Sequence, residues 1–174
     1  MDVALIVDGA NVMGSRADGW WRDRAGAMAR LHGELAALAA HGLTGPVPGA
    51  DAAPEPGSAP EPSSAPEPGS APEPGSAGEA GATGPAGETA GGRWFPHVYL
   101  VVEGRARAVL DLVGPAPRVQ VVAARGEGDD EIAGLAGRLT GRRVVVTADR
   151  ELRRRCEAAG AAIAGPGWLI RQFS

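Results

Sequence analysis

Carboxylates recur at one kind of position in this chain. Four short apolar runs, residues 3–7, 98–102, 119–123 and 144–147, are each followed by acids: Asp8, Glu103, the pair Asp129 and Asp130, and Asp149. Taken singly, each acid suits an ordinary role as the N-cap of a following helix or as a turn former. Taken together they suggest more, because carboxylates that converge repel one another and must either take up protons or hold a cation. Hard oxygen ligands suit Mg²⁺ or Mn²⁺, which orients a water and stabilises charge on a phosphate undergoing in-line attack. Asn11, in Val7-Asp8-Gly9-Ala10-Asn11, adds an amide able to orient the first acid or a bound water, and Gly9 supplies a small tight turn.

The elements that must position these groups read as alternating strands and helices. The apolar runs are strand-length, and residues 22–40 follow the first with Met28, Leu31, Leu35 and Leu38 on one helical face. Further helices are expected over residues 106–113, halted by Gly114-Pro115, over 129–139 with Ile132, Leu135, Ala136 and Leu139 inward, and over 150–159, stopped by Gly160. A short strand at 161–163 and a closing segment at 168–173 complete the pattern. Short strands apolar on both faces and separated by helices imply an α/β fold, a three-layer α/β/α sandwich with a central parallel sheet. In such a sheet the acids share the carboxyl edge, where ligand sites of open α/β folds lie. Asp129 falls three residues before Ile132 and six before Leu135, on the inward face of its helix, with Asp130 about 100° round. Asp129 is therefore favoured and Asp130 retained. Glu103-Gly104-Arg105 is either a ligand position or the start of a helix.

Composition divides the chain. Of its 174 residues, the 47 from 46 to 92 hold 11 of the 15 prolines, 10 of the 27 glycines, seven acids, no arginine and one large apolar side chain, Val47. That stretch is expected to be a disordered low-complexity insert. It carries an imperfect hexapeptide, Ala-Pro-Glu-Pro-Gly-Ser, beginning at Ala53, Ala59, Ala65 and Ala71. A β-solenoid needs more than alanine to bury at each turn, so an extended, polyproline-like tether is the better reading. Residues 1–45 and 93–174 remain as one domain, with 17 basic and 14 acidic residues against a whole-chain net charge of −4. The acidity belongs to the insert and the folded part is mildly basic.

Several chemistries are excluded. Every basic residue is arginine, so no P-loop lysine or Schiff base is available. Gly9 to Gly14 imitates the first part of a phosphate loop, but Ser15-Arg16 follows where Lys-Ser/Thr is needed; the Gly-x-Gly-x-x-Gly fingerprint is also missing, so no nucleotide cofactor is expected. A haloacid-dehalogenase phosphatase needs a second acid two residues after the first, and position 10 is alanine. Cys156 stands alone, which excludes an intrachain disulfide or a cysteine-rich zinc site and suits a buried thiol in a reducing, cytoplasmic setting. His32, His41 and His97 show no metal-like spacing. No basic segment opens the chain, and residues 25–43 are interrupted by Arg30, His32, Glu34 and His41, so neither a signal peptide nor a membrane span is expected.

Three segments in order, Val7-Asp8-Gly9-Ala10-Asn11-Val12, Gly128-Asp129-Asp130-Glu131-Ile132 and Val146-Thr147-Ala148-Asp149-Arg150-Glu151-Leu152, resemble the NYN domains of the PIN-like nuclease superfamily, in particular its bacterial YacP-like members. The resemblance extends over nearly all of the domain and omits the insert. It implies a PIN-like α/β/α sandwich whose carboxylates bind Mg²⁺ or Mn²⁺ and hydrolyse RNA phosphodiester bonds. Asp8 matches the first-strand acid, Asn11 its neighbouring amide and Asp149 the late-strand acid, with Asp129 or Asp130 between them. Asp8, Asp129 and Asp149 are the expected metal ligands, and Glu103 is a further candidate, since PIN-like sites often use an acid near it.

RNA is the expected partner. Arg150, Arg153 and Arg154 share a helical arc beside Asp149, and Arg16, Arg22 and Arg24 follow the first motif, either as phosphate contacts or as a solvated face. Trp20-Trp21 offers stacking surface for bases, one of the two packing under the first helix, and Trp94-Phe95 is placed to anchor the insert. The competing readings are a PIN-like scaffold that binds RNA or protein without catalysis, and a metal-dependent phosphatase or nucleotide hydrolase using the same acids.

Overall fold

The computed structural model describes residues 3–49 and 92–173. The chain runs β1 (Val3–Asp8), α1 (Gly9–Gly14), α2 (Arg24–His41), β2 (Leu43–Thr44), β3 (Arg93–Trp94) and β4 (His97–Val102), then a 3₁₀ helix (Gly104–Asp111) and β5 (Val119–Ala123). It continues through α3 (Gly128–Arg138), β6 (Arg142–Val146), α4 (Arg150–Ala158), β7 (Ala162–Ala164) and α5 (Pro166–Ile170) to a closing 3₁₀ turn, Arg171–Phe173.

Five strands form one parallel sheet in the order β5-β4-β1-β6-β7. The most apolar strand, β1, is buried along its whole length and occupies the centre. The order reverses there: the chain steps outward through β4 and β5, then returns to the opposite side of β1 with β6 and β7. Side-chain alternation along β1 divides the core. Val3, Leu5 and Val7 pack with Met28, Leu31 and Leu35 of α2 and with Val12, Val109 and Leu169. Ile6 packs on the other face with Val101, Val145, Ile132 and Leu135 of α3 and Leu152 and Cys156 of α4. The result is the three-layer sandwich expected from the alternation of elements. Asp8 shares the phase of Ile6, which turns it toward the α3 and α4 layer.

Several local readings change. Gly9–Gly14 is a six-residue helix rather than a tight turn, because the Asp8 carboxylate accepts from the Asn11 N–H and caps it. The expected helix at 106–113 is a 3₁₀ helix displaced toward Glu103. At the root of the insert, β2 and β3 pair antiparallel through Leu43 with Trp94 and Thr44 with Arg93, and the Trp94 indole donates to the Gly45 carbonyl at 3.2 Å. Residues 46–49 belong to the folded body: Val47 is buried in the core, and the Gly49 carbonyl accepts from Arg142. Composition hides this, since one valine among prolines and glycines suffices when a core site is open to it; burying such a side chain is worth about 1.5–3 kcal/mol. The hexapeptide repeats lie outside the described residues.

Burial accounts for the isolated thiol and for His32, whereas His41 and His97 are exposed. Desolvation pushes the Cys156 thiol up to about 11, and it lowers the pKa of His32, a buried residue of α2. His41 Nδ1 hydrogen-bonds the Ala37 carbonyl at 2.8 Å. Among the described residues, no helix is long and apolar enough to cross a membrane.

Candidate active site

Asp8 ends the central strand at the point where strand order reverses, and it is only 7% exposed. Its Oδ1 accepts from the Asn11 N–H at 3.0 Å and its Oδ2 from the Thr147 hydroxyl at 2.9 Å. Thr147, fully buried just beyond β6, also accepts the Asp149 N–H at 3.1 Å. Asp149 in turn caps α4, its Oδ1 accepting from the Leu152 N–H at 2.8 Å. A second tie runs from the Ala148 N–H to the Asn11 side-chain oxygen at 3.0 Å. The ends of β1 and β6 are therefore joined by side chains as well as by the backbone ladder. Gly9 is required here for space: a Cβ would lie 2.7 Å from the Val101 carbonyl oxygen and 2.9 Å from the Met28 methyl.

On the other side, Glu103 leaves β4 and its carboxylate accepts from the Gly128 N–H, the first residue of α3, at 2.6 Å. It makes no side-chain cap on the 3₁₀ helix that it precedes. A Cβ at Gly128 would come 2.8 Å from the Glu103 oxygen and displace that carboxylate from its hydrogen bond. This contact fixes the start of α3 against β4. Asp129 then enters the cleft, while Asp130 turns outward to an exposed ion pair with Arg155 at 2.7 Å.

The cleft has a volume of about 470 Å³, and Asp8, Glu103, Asp129 and Asp149 line it together with Asn11 and Ser15; no arginine does. Burial raises the pKa of Asp8, an effect opposed by the hydrogen bonds from Asn11 and Thr147 and reinforced by the charges of Asp129 and Glu103. Asp129 is raised likewise, first by burial, then by the charges of Asp149 and Glu103, with Arg155 acting in the opposite sense. These mutual effects arise because the carboxylates face one another across a partly desolvated space. An all-oxygen, anionic donor set fits a hard divalent cation. Among the described residues, no group of three or more His, Cys, Asp or Glu side chains is close enough together to hold a metal ion as the side chains stand. One oxygen of each of Asp149 and Glu103 is given to a backbone N–H, and both Asp8 oxygens accept one hydrogen bond.

The six arginines singled out in the sequence stand outside this cleft, Arg24 lying over the Trp20 ring. Arg16 is largely buried in an ion pair with Glu34 at 2.6 Å. Arg22 lies over Trp21, Arg154 pairs with Glu151, and Arg153 Nε donates to the Thr147 carbonyl at 3.1 Å. Arg150 is exposed at the start of α4. Thr147 is the residue that the sequence pattern leaves without a role. Its signal is a hydroxyl two residues before Asp149 at the end of an apolar strand, where an inward polar group needs a partner.

The sequence matches no family model and no curated protein. Among solved structures the chain is similar to the crystal structure of Rae1 (YacP) from Bacillus subtilis, a tryptophan-to-leucine mutant. The alignment covers 99% of this chain and 75% of that one at 15% identity, with a TM-score of 0.57. At that identity the likeness establishes the fold alone, a parallel sheet flanked by helices.

Proposed function

We propose that this protein is a metal-dependent ribonuclease that hydrolyses RNA phosphodiester bonds. The observation that carries the reading is the meeting of four carboxylates, from the ends of β1, β4 and β6 and the start of α3, in one cleft at the reversal of strand order. It is supported by the name YacP on a structure of the same fold, since the three sequence segments resemble YacP-like NYN domains. Asp8, Asp129 and Asp149, with Glu103, would hold Mg²⁺ or Mn²⁺. The ion when bound supplies an activated water and neutralises charge developing on the phosphate.

The chain's own residues prepare that chemistry. Thr147 and the Asn11 N–H fix both oxygens of Asp8, so its carboxylate loses no orientation when a cation arrives. Asn11, held by the Ala148 N–H, leaves its amide N–H₂ group for substrate or water. Asp129 and Asp149 approach from the starts of two different helices, and the charge of Asp149 helps raise the pKa of Asp129, a repulsion that a bound cation would relieve. Asp130 keeps its ion pair with Arg155, so the middle role falls to Asp129.

The test is incubation of the purified protein with single-stranded and structured RNA, in Mn²⁺ and in chelator. Cleavage should require the ion, and Asp8→Asn or Asp149→Asn should lower the rate by about two orders of magnitude or more, the usual loss on removing one transition-state charge stabiliser. RNA binding without cleavage would favour the non-catalytic PIN-like module. Hydrolysis of small phosphate esters alone would favour the phosphatase reading.

A further inference from the structure

Beside the acid cleft lies a second groove of about 370 Å³, separated from it by Ala10 and Glu103, which line both. Its character differs from the cleft's. Trp20, Met13 and Ala106 give it apolar surface, and Arg24 and Arg105 give it two cations, which balance the carboxylates of Glu127 and the shared Glu103. The Arg24 guanidinium sits over the Trp20 ring, 5.5 Å from its centroid. Trp20 is half-buried and fixed by packing against the core and by the edge of Trp21 at 6.2 Å. Both arginines are exposed, and among the described residues neither side chain makes an ion pair or a hydrogen bond. An aromatic ring with the Arg24 guanidinium over it, and a second planar cation, Arg105, next to a carboxylate-lined cleft match the two parts of a nucleotide, a base with a π-face and a phosphate.

We propose that this groove is a nucleotide subsite, in which Trp20 and Arg24 stack a base flanking the scissile bond and Arg105 contacts its phosphate. It rests on the ribonuclease reading for the position of the scissile bond. Among the described residues no arginine lines the acid cleft, so the arginines of the adjoining groove supply the attraction for the strand that the carboxylates lack. Only an unstacked base reaches Trp20, which makes single-stranded RNA the substrate class. Glu103 is the dividing wall: its carboxylate is held on Gly128 and stays with the acids.

The experiment is binding of a fluorescently labelled single-stranded oligoribonucleotide to the full chain in chelator, where nothing is cleaved, followed by cleavage of the same RNA with Mn²⁺. Trp20→Ala should weaken binding roughly tenfold, and Trp20→Phe should keep most of it, because stacking needs an aromatic ring. Arg105→Gln should make the slope of log K against log salt shallower by about 0.7, the value for one phosphate contact on a single strand. Arg24→Gln should weaken binding at unchanged melting temperature; its exposed side chain makes this variant and Arg105→Gln informative even if Trp20→Ala fails to fold. Unchanged affinity and slope in both arginine variants, with wild-type cleavage intact, would overturn the subsite and leave the ribonuclease reading standing. Loss of binding in these variants with no wild-type cleavage in Mn²⁺ would support a nucleotide-binding groove while overturning the ribonuclease reading and, with it, the placement beside a scissile bond. A wild-type protein that binds no RNA overturns both.

Discussion

Asp8 and Thr147 lie 139 residues apart in the chain, and their buried side chains meet in a 2.9 Å hydrogen bond. The bond crosses from β1 to the end of β6 at the reversal of strand order, and it leaves Thr147 Oγ1 free to accept the Asp149 N–H. One hydroxyl thus serves the acids of two strands. It orients the first through its proton and the second through its lone pair.

Thr147→Val keeps the shape of that side chain and removes both interactions. A buried carboxylate oxygen and the Asp149 N–H each lose a partner, a loss of about 1–3 kcal/mol for a buried polar group left unpaired. Urea unfolding should show it as a lower midpoint at unchanged slope. The pKa of Asp8 should rise further, because a contribution that lowers it has gone. A variant as stable as wild type would show that the hydroxyl is replaceable by water.

The acid cleft should make the metal-free protein less stable as pH rises. Asp129 has a folded-state pKa above its ordinary 3.8, so between those values the native state holds a proton that the unfolded chain has released. Stability then falls as pH climbs from 3.8 through the raised value and stays low above it. Asp129→Asn removes this dependence and should be more stable than wild type at neutral pH in the absence of metal, with no advantage well below pH 3.8. Asp130→Asn loses only an exposed pair, about 0–1 kcal/mol. Added Mn²⁺ at a hundred times its Kd should stabilise wild type by about 2.7 kcal/mol, and Asp129→Asn and Asp149→Asn much less. The measurement is a set of unfolding curves across pH, with and without Mn²⁺; equal responses in all variants would count against a cation in the cleft.

Arg153 and Arg154 are neighbours in sequence with different surroundings. Arg153 Nε holds the Thr147 carbonyl, so Arg153→Gln should cost about 0.5–1.5 kcal/mol, the net value of such a bond. Arg154 is exposed beside Glu151, and Arg154→Gln should be neutral within about 0.5 kcal/mol. If Arg154 contacts RNA phosphate, the same change should lower the salt slope of binding by about 0.7. Thermal melts and salt titrations separate the two effects.

Val47 and the repeats that follow it should respond oppositely to change. Val47→Ala removes two buried methyl groups and should cost about 1–2 kcal/mol. Replacing residues 50–91 by a Gly/Ser loop of about six residues shortens the loop through nearly three halvings, each worth about 0.6 kcal/mol of closure entropy. The melting temperature should hold or rise slightly. A marked drop would show that the repeats contribute to the folded state.

The chain's local chemistry dictates much of this molecule. Runs such as residues 3–7 and 144–146 are buried on both faces and can only be interior strands, and the spacing of Ile132 and Leu135 assigns Asp129 rather than Asp130 to the inner side of α3. These properties depend on periodicity within a few residues, which the sequence displays directly. Three features depend on residues far apart and were legible only in the tertiary structure. Glu103 is tied to the start of α3 by a hydrogen bond to Gly128 that no local pattern encodes. Val47 is buried because the body of the domain offers it a place, although its neighbours look like tether. Asp8, Thr147 and Asn11 become one unit only when β6 returns to lie beside β1. Strand order is set by long-range packing and closure of the whole sheet, so the identities of the acids could be read from the sequence, while their partners and the arginine-lined groove beside them were decided by the fold.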